Sequence, residues 1–313
     1  MLDHGNVRSN DLRDSSFAIA LGELRKARDT QYARGRSIKL RCFFLEKEPE
    51  AFAILEAYGR DVADAEVETH NATLESSVDE IVDFVRKGGV ASFPFIFIDP
   101  TGWTGFELDT IRPLLRLSPD EVLINFMTGH IRRFLDSPDE DTRESLRGLF
   151  GSDEFRQRIQ GLTRDDRDDA AVQEYSRKVR EVGAFSHVCS AIVLNPEKDR
   201  THFHLIYATR NQKGVEVFKA AEKSAMAVQE RARGEAQKRA REGRTGQPFL
   251  LSSEELHDTS HYDSLRDRYL RKSKDLVLQL LKTRGRVPYD DIWALAMSQP
   301  MTWESDLKTW IAE

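Results

Sequence analysis

The sequence predicts an α/β protein: a doubly wound, mostly parallel sheet with an antiparallel hairpin at one edge. Three observations lead there. Short apolar runs alternate with amphipathic helical segments from about residue 12 to residue 135, the pattern of successive βαβ units. Two later apolar runs, "AFSHVCSAIVLNP" and "RTHFHLIYATR", are joined only by the turn Asn195 to Arg200, too short for a parallel crossover. The stretches that remain are charged and carry helical spacing.

Taken in order, Leu12 to Thr30 places Phe17, Ala20, Leu21 and Leu24 on one helical face. "KLRCFFL" is a strand ending at Glu46, and "PEAFAILEAYGR" a helix with proline in its first turn, where the missing N–H costs nothing. "EVETHNA" is a short strand, and "SSVDEIVDFVRKGG" a helix with a serine cap and a glycine end. The densest apolar run, Phe93 to Ile98, stops at Asp99-Pro100-Thr101-Gly102-Trp103. A helix from about Gly105 to Leu117, the strand "EVLINFM" and a helix from Gly129 to Leu135 follow. Residues 137–183 read as a helical insertion with a solvated face, and Gly214 to Gly243 as a long alanine-rich helix. After a loop over "QPFLLSSEELHDTSHYDS", three helices close the chain: "LRDRYLRKSKDLVLQLLKTRG", "VPYDDIWALAMSQ" and "TWESDLKTWIAE".

Bulk properties narrow the class. The 313 residues are 39% hydrophobic and 32% charged, with a net charge of −6, and no apolar run approaches the roughly 20 residues of a bilayer span. The first residues have neither the basic start nor the apolar stretch of a secretion signal, so a cytoplasmic protein without a membrane partner is expected. Cys42 and Cys189 lie in apolar strand contexts and read as small buried hydrophobes. His202 and His204 alternate on one strand without a third ligand nearby, so no metal is expected. No phosphate loop of the G-x-x-x-x-G-K-[ST] type is present.

In an open α/β sheet, ligands sit beyond the C-terminal ends of the strands. Glu46 ends one strand; its two oxygens can take the hydroxyls of a ribose, or it can cap the next helix in a solvated turn. Asn71 ends another; its amide can read an adenine edge, or it is a turn asparagine. Asp99 and the Pro100 carbonyl can present two acceptors to an amino group, with Asp99 buried by the apolar strand before it. Gly102 lets backbone pass close to a ligand, and Trp103 offers a stacking face. The competing assignment makes Asp99 or Thr104 a helix cap and Trp103 a packing residue.

The segments "RCFFLEKEPEAFAILE", "FPFIFIDPTGWTGFELDTIRPLL", "EVLINFM" and "THFHLIYATRNQKGVEVFKAAEKSAM" together resemble the three-Cys-motif partner proteins. The resemblance covers most of residues 12–230 and rests most on "FIDPxGWxG" and "HLIYATRxxxG". It implies a Rossmann-like, class I methyltransferase sheet that binds S-adenosylmethionine, and a radical-SAM-like three-cysteine protein as partner. Carried over, Glu46 would hold the ribose, Asn71 would lie beside the adenine, and Asp99 with Pro100 would face the methyl group and its acceptor. The family's first strand and glycine-rich turn have no counterpart here. The sheet is therefore expected to lack its first, central strand, with Met1 an internal methionine. The C-terminal helices resemble the winged-helix module of the family, without its wing.

The expected domains are a methyltransferase-like unit over 1–230, a basic helix and linker over 231–262, and a winged-helix-like unit over 263–313. The basic residues Arg231 to Arg244 interleave with Glu230, Glu235 and Glu242 and read as a solvated face. The last helix holds Glu304, Asp306 and Glu313 against Lys308, which favours protein contact or structure over DNA reading. The expected function is methyl transfer to a nucleic-acid base or nucleotide. The alternative is a catalytically inactive adaptor for the three-cysteine protein.

Overall fold

The computed structural model describes residues 15–100, 102–245 and 257–312. The chain divides into two compact units, Met1–Ser92 and Phe93–Glu313, each taken by itself below. The segment ahead of residue 15, Thr101, and the part of the expected loop between 247 and 256 lie outside the described residues.

The first unit runs α1 (Ser16–Tyr32), β1 (Arg41–Leu45), α2 (Pro49–Asp61), β2 (Glu66–His70) and α3 (Leu74–Lys87). β1 and β2 pair in parallel, from Arg41 opposite Glu66 to Leu45 opposite His70. Leu21, Leu40 and Cys42 form the buried centre, backed by Phe44, Tyr58 and Val67. At its rim Asp64 receives Arg25 at 2.5 Å and Arg28 at 2.8 Å, and these guanidiniums hold its carboxyl well below the usual carboxylate range. Ser15 caps α1 by accepting from the Ala18 N–H at 3.4 Å. The serine cap expected on α3 is not formed. Leu74 and Glu75 extend that helix by a half-turn, so Ser76 and Ser77 lie inside it and Thr73 takes the cap position.

The second unit holds β3 (Phe95–Ile98), α4 (Leu108–Leu115), β4 (Glu121–Phe126), α5 (Thr128–Phe134), α6 (Glu140–Phe150), α7 (Glu154–Ile159) and α8 (Arg164–Gly183), and then the hairpin β5 (His187–Leu194) and β6 (Thr201–Thr209). The strand order is β3-β4-β6-β5. β3 is parallel to β4, β4 antiparallel to β6, and β6 antiparallel to β5. The expected hairpin is therefore present, but the expected single sheet is two separate ladders. β1 and β3 could join one sheet only by direct pairing or through a strand between them, and the described residues supply neither.

Residues alternate across the sheet. One face presents Ile98, Val122, Ile124, Phe126 and Ile206, all buried. Phe126 stacks on Tyr175 of α8 with ring centroids 4.7 Å apart. The stretch 137–183 is helical as expected, yet it is not a solvated insertion. Phe150, Phe155, Val172, Tyr175 and Val179 are buried, and α8 packs on α4, β5 and β6. Its charges obscure this in the sequence because many serve pairs: Asp166 and Asp169 meet Lys272 at 2.6 and 2.5 Å.

The chain ends with α9 (Gln212–Thr245), α10 (Ser260–Arg284), α11 (Tyr289–Met297) and α12 (Glu304–Ala312). α9 passes unbroken through residue 230. Cys189 of β5, Val215 of α9, Val277 of α10, Trp293 of α11 and Leu307 of α12 share one buried cluster. Lys219 of α9 donates to the Gln299 carbonyl at 2.8 Å, and Glu222 accepts from the Met301 N–H at 2.8 Å. Arg233, read from sequence as part of a solvated face, is only 2% exposed. It donates to the carbonyls of Asn195 at 2.8 Å and Lys198 at 3.2 Å, and it pairs with Asp199 at 2.5 Å. In the turn of the β5–β6 hairpin the N–H groups of Glu197 and Lys198 go to Asn195 Oδ1, and Arg233 supplies a donor to the Asn195 carbonyl. Among the described residues no helix is long and apolar enough to cross a membrane.

Candidate functional site

The C-terminal ends of β3 and β4 lie side by side because the two strands are parallel, with Ile98 in register with Ile124. One residue further along, Asn125 Nδ2 donates to Asp99 Oδ1 at 2.6 Å. Asn125 is 8% exposed and its Oδ1 is buried without a partner, whereas Asp99 is exposed. Asp99 is thus not the buried, desolvated carboxylate expected from the run before it. The outer face of that run is open, with Phe95 at 53% and Phe97 at 49% exposure, so the end of the strand is open as well. The outcome is a carboxylate facing solvent, with one oxygen fixed by an amide rooted in the sheet.

Pro100 follows, half-buried, without an N–H to offer. A Cβ added at Gly102 would meet nothing within 4 Å. The glycine is therefore not required by the protein's own packing, and room remains above it. Trp103 is half-buried and lies against Phe134 of α5, with centroids 4.1 Å apart and planes tilted by 42°. Its indole Nε1 is buried without a partner. The packing role weighed for Trp103 is thus present in the structure. On the opposite sheet face, His204 is buried with Nδ1 3.2 Å from Thr128 Oγ1. Burial lowers its pKa to about 4, which keeps the ring neutral at pH 7.

In the first unit, Glu46 and Asn71 do come together. Asn71 Nδ2 donates to the Glu46 carbonyl at 2.8 Å and the Lys47 carbonyl at 3.1 Å, joining the turns that follow β1 and β2. Glu46 Oε1 accepts from the Glu48 N–H at 2.9 Å, just ahead of α2. Both side chains therefore perform the local turn duties weighed for them. Asn71 keeps its carbonyl oxygen as an acceptor, and Glu46 keeps most of the four or so lone-pair positions of a carboxylate.

Asn125 is the residue that sequence reasoning passed over. Its signal was present: it is the one amide inside "EVLINFM", and an uncompensated polar group in a buried strand is costly. Among the described residues, no group of three or more His, Cys, Asp or Glu side chains is arranged to hold a metal ion. Compared with known proteins, the sequence matches no family model and no curated protein.

Proposed function

We propose that the protein is an S-adenosylmethionine-dependent methyltransferase acting on an amino group of a nucleic-acid base or nucleotide, alongside a three-cysteine radical-SAM-like partner in the cytoplasm. The observation that carries this proposal is the Asp99–Asn125 pair at the ends of two adjacent parallel strands, where open α/β sheets place their ligands. Each unit supports it by itself: β1–β2 and β3–β4 are parallel pairs, and Glu46, Asn71 and Asp99 each follow the C-terminal end of one of these strands.

Glu46 and Asn71 fit the cofactor, with one change of role. Glu46 retains acceptor capacity for a ribose diol. Asn71, its nitrogen already engaged, can only accept, and would take the adenine amino group on Oδ1. When bound, the cofactor supplies an electrophilic methyl group. Asp99 and the Pro100 carbonyl accept the two hydrogens of the incoming amino group, which aims the nitrogen lone pair away from them. Asn125 holds Asp99 Oδ1 in place, so orientation precedes reaction. The amino proton leaves after attack, and Asp99 need not be a strong base.

The second possibility is a non-catalytic adaptor. The turn duties of Glu46 and Asn71 and the packing of Trp103 on Phe134 favour it. Calorimetric titration with S-adenosylmethionine separates the two. The enzyme should bind, and Glu46→Ala should weaken binding by about 1.5–3 kcal/mol, as expected for a hydrogen bond to a charged group. Absence of binding by the unaltered protein would leave the adaptor.

A further inference from the structure

α9 covers only part of the second sheet face of its unit, and a cavity of about 900 Å³ opens between them, within the range of small-molecule sites. Phe95, Leu123 and Leu205 line it from the sheet, and Ala221, Ala225 and Met226 from α9. The cavity ends at the start of β4, away from Asn125, in a recess of oxygen atoms. Glu121 is half-buried and shares the cavity face of the sheet with Leu123, Tyr207 and Thr209, while the Asp120 side chain is fully buried and paired with Arg210. A Cβ on Gly214 would fall 2.5 Å from the Tyr207 hydroxyl, 2.7 Å from Glu121 Oε1 and 2.9 Å from Thr209 Oγ1. Only glycine there allows these three oxygens to converge.

The cations nearby are already engaged. Arg210 donates to Asp120 and also to the carbonyls of Leu115 at 3.0 Å and Gly183 at 2.6 Å. Lys213 meets Glu216 at 2.6 Å. Among the described residues Glu121 has no cation partner; the hydroxyls of Thr209, at 3.5 Å, and Tyr207 face its carboxylate.

We propose that this cavity binds a small amphipathic amine, its apolar body between the sheet and α9 and its primary ammonium in the recess of Glu121, Tyr207 and Thr209. An ammonium brings three donors and no acceptor, which matches a carboxylate without a cation partner flanked by two hydroxyls, each of which can also accept. A carboxylate or phosphate head would be repelled.

Dansyl-cadaverine, an apolar fluorophore ending in a primary amine, is a suitable probe. Its emission should rise and shift to the blue saturably, one molecule per chain. The N-acetyl derivative should bind roughly tenfold or more weakly, the factor set by a charge-assisted hydrogen bond. Ala221 and Ala225 are exposed on the surface of α9, so Ala221→Trp or Ala225→Trp should fill the cavity and abolish binding of both probes without lowering the melting temperature. Glu121→Gln should bring the amine down toward its N-acetyl form. Equal binding of amine and N-acetyl probe, or binding that survives both tryptophan variants, overturns the proposal. So does the absence of binding, including absence because the protein forms a dimer that either tryptophan variant dissociates, which would give the face to a second copy of the chain.

Discussion

At the scale of single residues, chemistry and local structure compete for the same atoms. Glu46 and Asn71 were legible as strand-end residues with turn duties of their own, but not the bond of Asn71 to the Glu46 and Lys47 carbonyls, because that depends on how the turns after β1 and β2 approach each other. Asp99 was legible as a strand terminator, while its exposure was not, since exposure is set by what covers the outer face of β3. His204 was read as structural, and the structure adds its buried pairing with Thr128. The fall of its pKa from 6.5 to about 4 through burial has a consequence of definite sign. The unfolded chain binds this proton at a higher pH than the folded chain does. Stability from the neutral ring is therefore complete above about pH 6.5 and is lost as pH falls toward 4. His204→Phe cannot take up that proton. Its melting temperature relative to the unaltered protein should rise steadily as pH is lowered through this window, as followed by circular dichroism. A constant difference across the window would show that His204 does not titrate this way.

At the scale of elements, the helices and strands announced themselves through periodicity, and all the strands expected over the described residues formed. Charge was the misleading signal. α8 looked solvated because its sequence is crowded with acids and bases, yet its apolar positions form the wall behind Phe126. Arg233 looked like one more exposed cation on a basic helix, yet it serves the hairpin turn from within. Its partners lie more than 30 residues away in the chain, at 195, 198 and 199, so spacing along the helix could not reveal them. Arg233 also stands 3.2 Å from Glu230, whose carboxyl burial pushes upward. Arg233→Ala should therefore cost about 3–5 kcal/mol in a urea melt, the range for removing one partner of a buried charged network. Arg233→Lys should recover only part of this, because an ammonium cannot reproduce the planar fork. A loss below about 0.5 kcal/mol for Arg233→Ala would mark it as a surface residue after all.

At the scale of the whole molecule, the sequence conveyed the alternation of elements better than the grouping of them. The chain divides into two compact units between Ser92 and Phe93, whereas periodicity carried no sign of a break there. The reason is that grouping follows from strand pairing and shared cores, which are long-range. The same holds for the C-terminal helices: nothing local couples Trp293 to Cys189, but both lie in one cluster. Removing residues 246–313 should expose Cys189 and Val215 and leave the buried Lys219–Glu222 pair without its partners at Gln299 and Met301. The shortened chain should aggregate or lose cooperative unfolding in size-exclusion and calorimetric runs. A shortened chain that stays monomeric and melts as sharply as the full one would show that α10 to α12 are dispensable to the second unit.

The most direct measurement is transfer of a labelled methyl group from S-adenosylmethionine to mixed nucleic acid and nucleotides, run beside thermal melts of the unaltered protein, Asp99→Ala and Asn125→Ala. If Asp99 orients the amino group, Asp99→Ala abolishes turnover while cofactor affinity changes little, because the interaction is made mainly in the transition state. Asn125→Ala should lower turnover less, since Asp99 remains but loses its anchor. The contradicting result is an unaltered protein that transfers no methyl group to any acceptor offered. An Asp99→Ala protein destabilised by about 1 kcal/mol yet fully active would likewise reduce the pair to a structural hydrogen bond between strand ends.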